Sequence, residues 1–104
     1  MSIVQRRVFY AKVGRAEELV QHLLEGEKML RQFGVNWKSR LLTDYMSGRS
    51  DRVASEWEVD NLQDIEDAMN RAMGDPQAQA TMGPWLEKLN DLIHYSEAEN
   101  WAVR

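Results

Sequence analysis

The stretch at residues 51–59, DRVASEWEV, decides the fold because it has the pattern of a strand with two unlike faces. Side chains alternate between the two faces of an extended chain. One phase is mainly apolar and contains Val53, Ser55, Trp57 and Val59. The other phase is mainly charged and contains Arg52, Ala54, Glu56 and Glu58. The apolar phase predicts packing against helices, while the charged phase faces water, a ligand or a second copy of the chain.

Three further extended segments accompany this strand. Residues 36–46, NWKSRLLTDYM, precede it across the short connection SGRS, which predicts an antiparallel hairpin. Residues 5–13 carry a β-branched and aromatic cluster, and residues 92–103 alternate in the same manner. The sequence therefore predicts four strands.

Helical patterns separate these strands in two places. Apolar residues recur at helical spacing between residues 19 and 33, and Gly34 supplies a typical helix end. Asp60 is the predicted N-cap of a second helix. The pair Asp75-Pro76 predicts a fresh helical turn, and Gly83-Pro84 predicts the start of another.

The resulting order, βαββαβ, predicts an α+β, ferredoxin-like two-layer sandwich with one four-stranded antiparallel sheet. Residues 1–104 form a single domain, since a chain of this length builds one core. Both helices cover the same face of the sheet, and the other face is bare. That face combines arginines and glutamates with large apolar groups. Its apolar area is larger than the area that a soluble monomer usually exposes. We therefore expect a two-fold partner to cover it.

Composition excludes several classes of protein. The net charge of −4, with no long basic stretch, argues against nucleic acid as a partner. No apolar run approaches a membrane span, and the first residues lack the apolar segment of a signal peptide, so a cytoplasmic location without membrane attachment is expected. The absence of cysteine excludes disulfides, thiolate nucleophiles and cysteine metal sites.

Several junctions of the chain are similar to those of a known superfamily. Strand one has an arginine followed by an aromatic, Arg7 and Phe9; Gly14 leads into a helix with Glu18-Leu19; and the step Asp75-Pro76 follows the second helix. With these features the chain resembles the dimeric α/β-barrel superfamily, and within it the NIPSNAP-like and antibiotic-biosynthesis-monooxygenase-like branches. The resemblance covers nearly the whole chain.

The resemblance implies a homodimer in which two sheets face each other as a barrel with the helices outside. Members of the superfamily include cofactor-free monooxygenases, haem-degrading enzymes, small isomerases and ligand-sensing domains, so the fold alone does not choose a function. The haem-degrading members use an asparagine, a tryptophan and a helix-borne histidine. The second helical region, residues 62–89, contains no histidine, which argues against haem chemistry here.

Few residues are candidates for chemistry. His94 could act as a general base beside a tyrosine, or it could be an ordinary hydrogen-bonded histidine. Arg40 and Tyr45 complete the set of catalytic candidates. Glu18, His22 and Glu25 share one helix face, where a solvated surface is the alternative to a metal site. Aromatic strand residues could wall a pocket for a planar molecule or fill the core and an interface; they are Tyr10, Trp37, Trp57 and Trp101.

The leading hypothesis from the sequence is a small cytosolic homodimer, without metal or organic cofactor, that binds a small hydrophobic or aromatic ligand between its sheet and its helices. The alternative is a cofactor-independent monooxygenase or isomerase acting on a planar phenolic or polyketide-like substrate. In that alternative, by analogy with the superfamily, an arginine stabilises an enolate or phenolate while His94 accepts the proton.

Overall fold

Four strands and three helices follow one another in the computed structural model, which describes residues 1–104. Their order is β1 (Ile3–Ala11), α1 (Ala16–Gln32), β2 (Lys38–Thr43), β3 (Arg52–Val59), α2 (Leu62–Met73), α3 (Pro76–Leu92) and β4 (Ile93–Ala102). The strands form one antiparallel sheet in the order β2-β3-β1-β4. This arrangement confirms the predicted ferredoxin-like α+β fold.

The two faces of β3 are those that the alternation predicts. Val53 is 1% exposed and packs into the main core, which also takes Phe9 and Ala11 from β1. The helices contribute the rest of this core through Leu19, Leu23, Leu89 and Leu92. Strand β1 pairs with β3 so that Phe9 lies opposite Val53 and Arg7 lies opposite Ser55. Arg7 therefore shares the helix-covered face, and Arg6 points to the opposite face.

The helix ends match the sequence in two places and differ in one. Gly34 has a φ of +91°, which a glycine adopts without a steric penalty, so α1 ends there as predicted. The Asp75 carboxylate accepts hydrogen bonds from the backbone N–H groups of residues 77 and 78, with Pro76 in the first turn of α3. The prediction that Asp60 caps α2 is wrong. Asn61 is the cap instead, because its side-chain oxygen accepts the N–H of Gln63 at 2.9 Å.

Helix α3 also corrects the sequence analysis. Gly83-Pro84 does not begin a new helix, since α3 continues through Pro84 to Leu92. An interior proline costs about 3 kcal/mol because it removes one backbone hydrogen bond and crowds the preceding turn. Residues on both sides of it are buried, Ala78 before and Leu89 and Leu92 after, and this burial of both halves keeps the helix continuous.

The face of the sheet without helices is called the open face. It carries Lys38, Arg40 and Leu42 from β2, Arg52, Ala54, Glu56 and Glu58 from β3, Val4, Arg6, Val8 and Tyr10 from β1, and Tyr95, Glu97, Glu99 and Trp101 from β4. Several of its apolar side chains are exposed, including Leu42, Tyr95 and Trp101.

One buried carboxylate lies at the centre of the open face. Glu56 is only 5% exposed, and its two oxygens accept hydrogen bonds from Arg6 Nε and Arg40 Nε, each at 2.6 Å. Burial by itself would raise the pKa of Glu56, but the hydrogen bonds from Arg40 and Arg6 outweigh it and lower this pKa below the usual value. Because the three residues belong to β1, β2 and β3, this cluster joins three neighbouring strands.

Replacing Glu56→Gln should lower the free energy of unfolding by about 1–3 kcal/mol at pH 7, because two charge-assisted hydrogen bonds are lost in a buried place. The pKa of Glu56 is lower in the folded than in the unfolded chain, so its contribution to stability is full above the unfolded value of 4.5 and is lost as the pH falls further. Urea unfolding at several pH values should show the difference between wild type and variant shrinking below about pH 4.5.

The control is Glu58→Gln, on the same strand and face, where the carboxylate makes a single 3.2 Å hydrogen bond with Ser2 and no ion pair. It should change stability by no more than about 0.5 kcal/mol. An equal loss in both variants would contradict a special role for the Glu56 cluster.

Candidate ligand-binding site

A cavity of about 290 Å³ lies between the sheet and the helices. This volume is close to the lower end of the range for small-molecule sites, about 300–1,000 Å³. The helices supply a mainly apolar roof of Leu23, Leu30, Met69, Met82, Trp85, Leu86 and Leu89. The sheet supplies a floor that is mostly polar, consisting of Gln5, Arg7, Phe9, Ser55, Trp57, Ile93 and Ser96. The cavity is therefore lined like a site for an apolar molecule that carries a polar group.

Trp85 of the roof is held in place by α1. Its ring stacks on His22 with centroids 4.7 Å apart, and its indole N–H donates to the His22 carbonyl at 2.9 Å. In return, His22 Nε2 donates to the Trp85 carbonyl at 2.8 Å. Gly26 lies directly under the ring, where an added Cβ would be 2.7 Å from Trp85 Cε2. Four contacts with α1 thus fix this wall of the cavity.

Trp57 is held in a comparable way on the floor. Its indole N–H donates to the Glu27 carboxylate at 2.7 Å, and the Ser39 hydroxyl donates to the other carboxylate oxygen at 3.0 Å. Trp37 packs beside it, with ring centroids 5.0 Å apart and an angle of 43° between the planes. The position of Glu27 at the cavity wall therefore depends on hydrogen bonds from both β3 and β2.

The aromatic residues that the sequence predicted for a pocket are divided between the helix-covered face and the open face of the sheet. Trp57 lines the cavity, and Trp37 lies next to it without lining it. Tyr10 and Trp101 lie on the open face, where Tyr10 stacks on Tyr95 at 4.4 Å. Interaction with the Glu97 carboxylate raises the pKa of Tyr10 above its usual value.

The three catalytic candidates do not meet. His94 is exposed at the start of β4, and Tyr45 is 87% exposed in the connection between β2 and β3. Arg40 lies on the open face, bound to Glu56. None of the three lines the cavity between sheet and helices.

The helix residues considered for a metal have other roles. His22 is buried against Trp85, and Glu18 pairs with Arg15 through two hydrogen bonds of 2.9 and 3.1 Å. No group of three or more histidine, aspartate or glutamate side chains is arranged to hold a metal ion. A larger depression of about 360 Å³ beside α2 is lined mainly by polar and acidic groups, including Asp60, Asp64 and Asp67, and has less apolar surface than the cavity.

Sequence reasoning missed the residues that leave space for the cavity and those that supply its polar groups. Ser55 lies between Val53 and Trp57 in an otherwise apolar phase, and this small polar residue was the available signal for empty space. Gly26 interrupts the apolar stripe of α1, and a residue without a side chain at that position was a second available signal for empty space. Glu27 gave no signal, because a charged residue on a helix is ordinarily solvated.

Comparisons with known proteins support the fold. The sequence matches no protein-family model and no curated protein sequence. Among solved structures, a NIPSNAP family protein from Agrobacterium tumefaciens superimposes with a TM-score of 0.77 at 20% identity, over 99% of this chain and 86% of the other. An uncharacterized NIPSNAP domain protein from Burkholderia xenovorans gives 0.76 at 19% identity, over 98% and 94%.

SnoaB, a cofactor-independent oxygenase from Streptomyces nogalater, gives a TM-score of 0.68 at 16% identity, over 99% of this chain and 93% of the other. The structural neighbours thus come from the NIPSNAP and oxygenase groups that the sequence resembles. At these identities the likeness establishes the ferredoxin-like fold.

Replacing Gly26→Ala should lower the free energy of unfolding, because the new methyl group displaces the Trp85 ring. Overpacking costs about 1–3 kcal/mol, and the better helix propensity of alanine returns only about 1 kcal/mol. Gly74→Ala is the matched control, since its Cβ would meet only ordinary contacts of 3.5 and 3.6 Å and its φ of −81° suits alanine. Urea unfolding should place the Gly26 variant below wild type and the Gly74 variant at or above it; the reverse order would contradict the packing described for Trp85.

Proposed function

We propose that the protein is a cytosolic homodimer that binds a small hydrophobic or aromatic molecule in the cavity between its sheet and its helices. The observation that carries this proposal is the rigid, apolar roof over a polar floor. Gly26, His22 and Trp85 hold space open at a place where a core would otherwise be filled. A protein interior contains few voids larger than a water molecule, so a cavity of this size with fixed walls favours an occupant.

The structural neighbours fit this proposal without choosing a reaction. The NIPSNAP-domain neighbours include one called uncharacterized, and SnoaB is called a cofactor-independent oxygenase. None of the three helices here combines the length and apolarity needed to cross a bilayer. The cavity volume of about 290 Å³ supports a ligand of modest size as the occupant that we propose.

A second copy of the chain is the proposed partner of the open face. Basic residues, Lys38 and Arg40, lie towards its β2 edge, and acidic residues, Glu97 and Glu99, lie on β4 at the opposite edge. A two-fold axis that lies between the two sheets and runs parallel to the strands would bring each edge over the opposite edge of the partner. The apolar side chains of the open face would be covered in the same contact.

A cofactor-independent monooxygenase or isomerase is the second candidate function. One observation favours it: Glu27 presents a carboxylate at the cavity wall with no cation within ion-pair distance, and such a group can accept a proton from a bound substrate. In this version Glu27 replaces His94 as the proton acceptor, because His94 does not line the cavity. The substrate would be planar and phenolic or polyketide-like, and it would itself supply the electrons to dioxygen.

The ligand proposal predicts binding of N-phenyl-1-naphthylamine, a neutral apolar dye whose fluorescence rises away from water. Met82→Trp adds bulk to the roof and should weaken binding at least about tenfold, since the dye and the new ring compete for the same space. Met73→Trp is the control, because Met73 lies outside the cavity and is 55% exposed. Equal binding by both variants would place the dye elsewhere and refute the site.

The dimer proposal predicts that the wild-type chain sediments as a dimer at micromolar concentration. Trp101→Glu puts an additional charge on the open face and should shift the chain towards monomer, because an unpaired charge would be buried in the contact. Leu24→Glu, on the exposed side of α1, should leave the dimer intact. A wild-type chain that sediments as a monomer at this concentration would overturn the proposal.

A further inference from the structure

Two opposite charges line the cavity without pairing with each other. Arg7 belongs to the floor and Glu27 to the wall on α1. The ion pairs of the chain include neither residue. A guanidinium with five N–H donors is therefore left facing an apolar cavity with no carboxylate of this chain to bind.

The two charges lie on different sides of the cavity. Glu27 is bound to Trp57 of β3 and to Ser39 of the edge strand β2. Arg7 lies on β1, one strand further towards β4, and two residues along from Gln5, the partner of Trp57. Neighbouring strands are about 4.8 Å apart and residues rise about 3.3 Å each. Arg7 is therefore separated from Trp57, the residue that binds Glu27, both across the strands and along them.

The Arg7 side is the open side of the cavity. Arg7 itself is exposed. Its neighbours on β4, Ala98 and Asn100, face the same side of the sheet as Arg7 and are also exposed, so the helices do not cover this corner. A polar group of a ligand can reach Arg7 while keeping part of its hydration, and the apolar part can lie inward under Met82 and Leu89.

From this arrangement we propose that the cavity selects an apolar acid with a single negative charge, whose carboxylate binds Arg7 at the mouth. The inference rests on the proposed ligand-binding function and names the chemical class of the ligand. An arginine binds a carboxylate through two parallel hydrogen bonds, which are stronger than hydrogen bonds between neutral groups. Ser55, directly opposite Arg7, and Ser96 supply hydroxyl groups on the same floor.

Glu27 sets the direction in which the ligand enters. Its negative charge repels an anionic group from the β2 side of the cavity, so the carboxylate stays at the Arg7 end and the apolar end points inward. A molecule with a carboxylate at each end would place one of them near Glu27. The site should therefore distinguish one negative charge from two.

The test uses 2-naphthoate and 2-naphthamide, which have nearly the same shape and differ in charge, with affinities measured by isothermal titration calorimetry. Wild type should bind the naphthoate about tenfold more tightly than the naphthamide. Arg7→Gln should remove this preference by weakening naphthoate binding, so that the two probes bind with similar affinity. Lys28→Gln, which removes an exposed positive charge that does not line the cavity, should keep it. Equal affinities of wild type for the two probes, or a preference that survives Arg7→Gln, would overturn the inference.

A third probe, 2,6-naphthalenedicarboxylate, examines the role of Glu27. It should bind wild type more weakly than 2-naphthoate, and Glu27→Gln should reduce that difference. A dicarboxylate that binds wild type as well as the naphthoate would contradict the proposed direction of entry. Failure of the proposed function has a different signature. The neutral dye and all three naphthalene probes would then fail to bind wild type, or would bind the Met82→Trp variant as tightly as wild type.

Discussion

The buried carboxylate of Glu56 is the constraint on which the rest of the structure depends. Its hydrogen bonds with Arg6 and Arg40 join three strands on the open face of the sheet. A slip of one residue in the pairing of β3 would turn this carboxylate towards the helices and expose Val53 and Trp57. Since a buried charge without partners is costly, the Glu56 cluster and the apolar core specify the same register. Polar and apolar requirements are thus met by one arrangement of the sheet.

The cavity follows from that register. It places Arg7 and Ser55 side by side on the face that the helices cover, where neither residue can fill space as a large apolar side chain would. The helices then leave a void over these residues, since Gly26 and His22 hold the Trp85 ring on α1. The floor is polar and the roof apolar because they come from different layers of the sandwich. This division is what makes an apolar molecule with one polar group the expected ligand.

The sequence predicted most of the fold and little of the site. Alternation along residues 51–59 assigned both faces of β3, and Gly34 and Asp75 marked helix boundaries, because these signals are local. It failed at Asp60 and at Pro84, where the neighbouring Asn61 and the burial of Leu89 and Leu92 decided the outcome. The cavity could not be predicted, because it depends on how Gly26 and Trp85 meet across 59 positions of the chain. It also depends on the absence of an ion pair at Arg7 and at Glu27, which only the folded structure shows.

The most direct measurement is a ¹H–¹⁵N spectrum of the four tryptophan indole N–H groups during titration with N-phenyl-1-naphthylamine. Trp57 and Trp85 line the cavity, while Trp101 lies on the open face. Binding between the sheet and the helices should shift the signals of Trp57 and Trp85 and leave that of Trp101 in place. A shift of Trp101 alone, or no shift at saturating dye, would contradict a ligand site in the cavity.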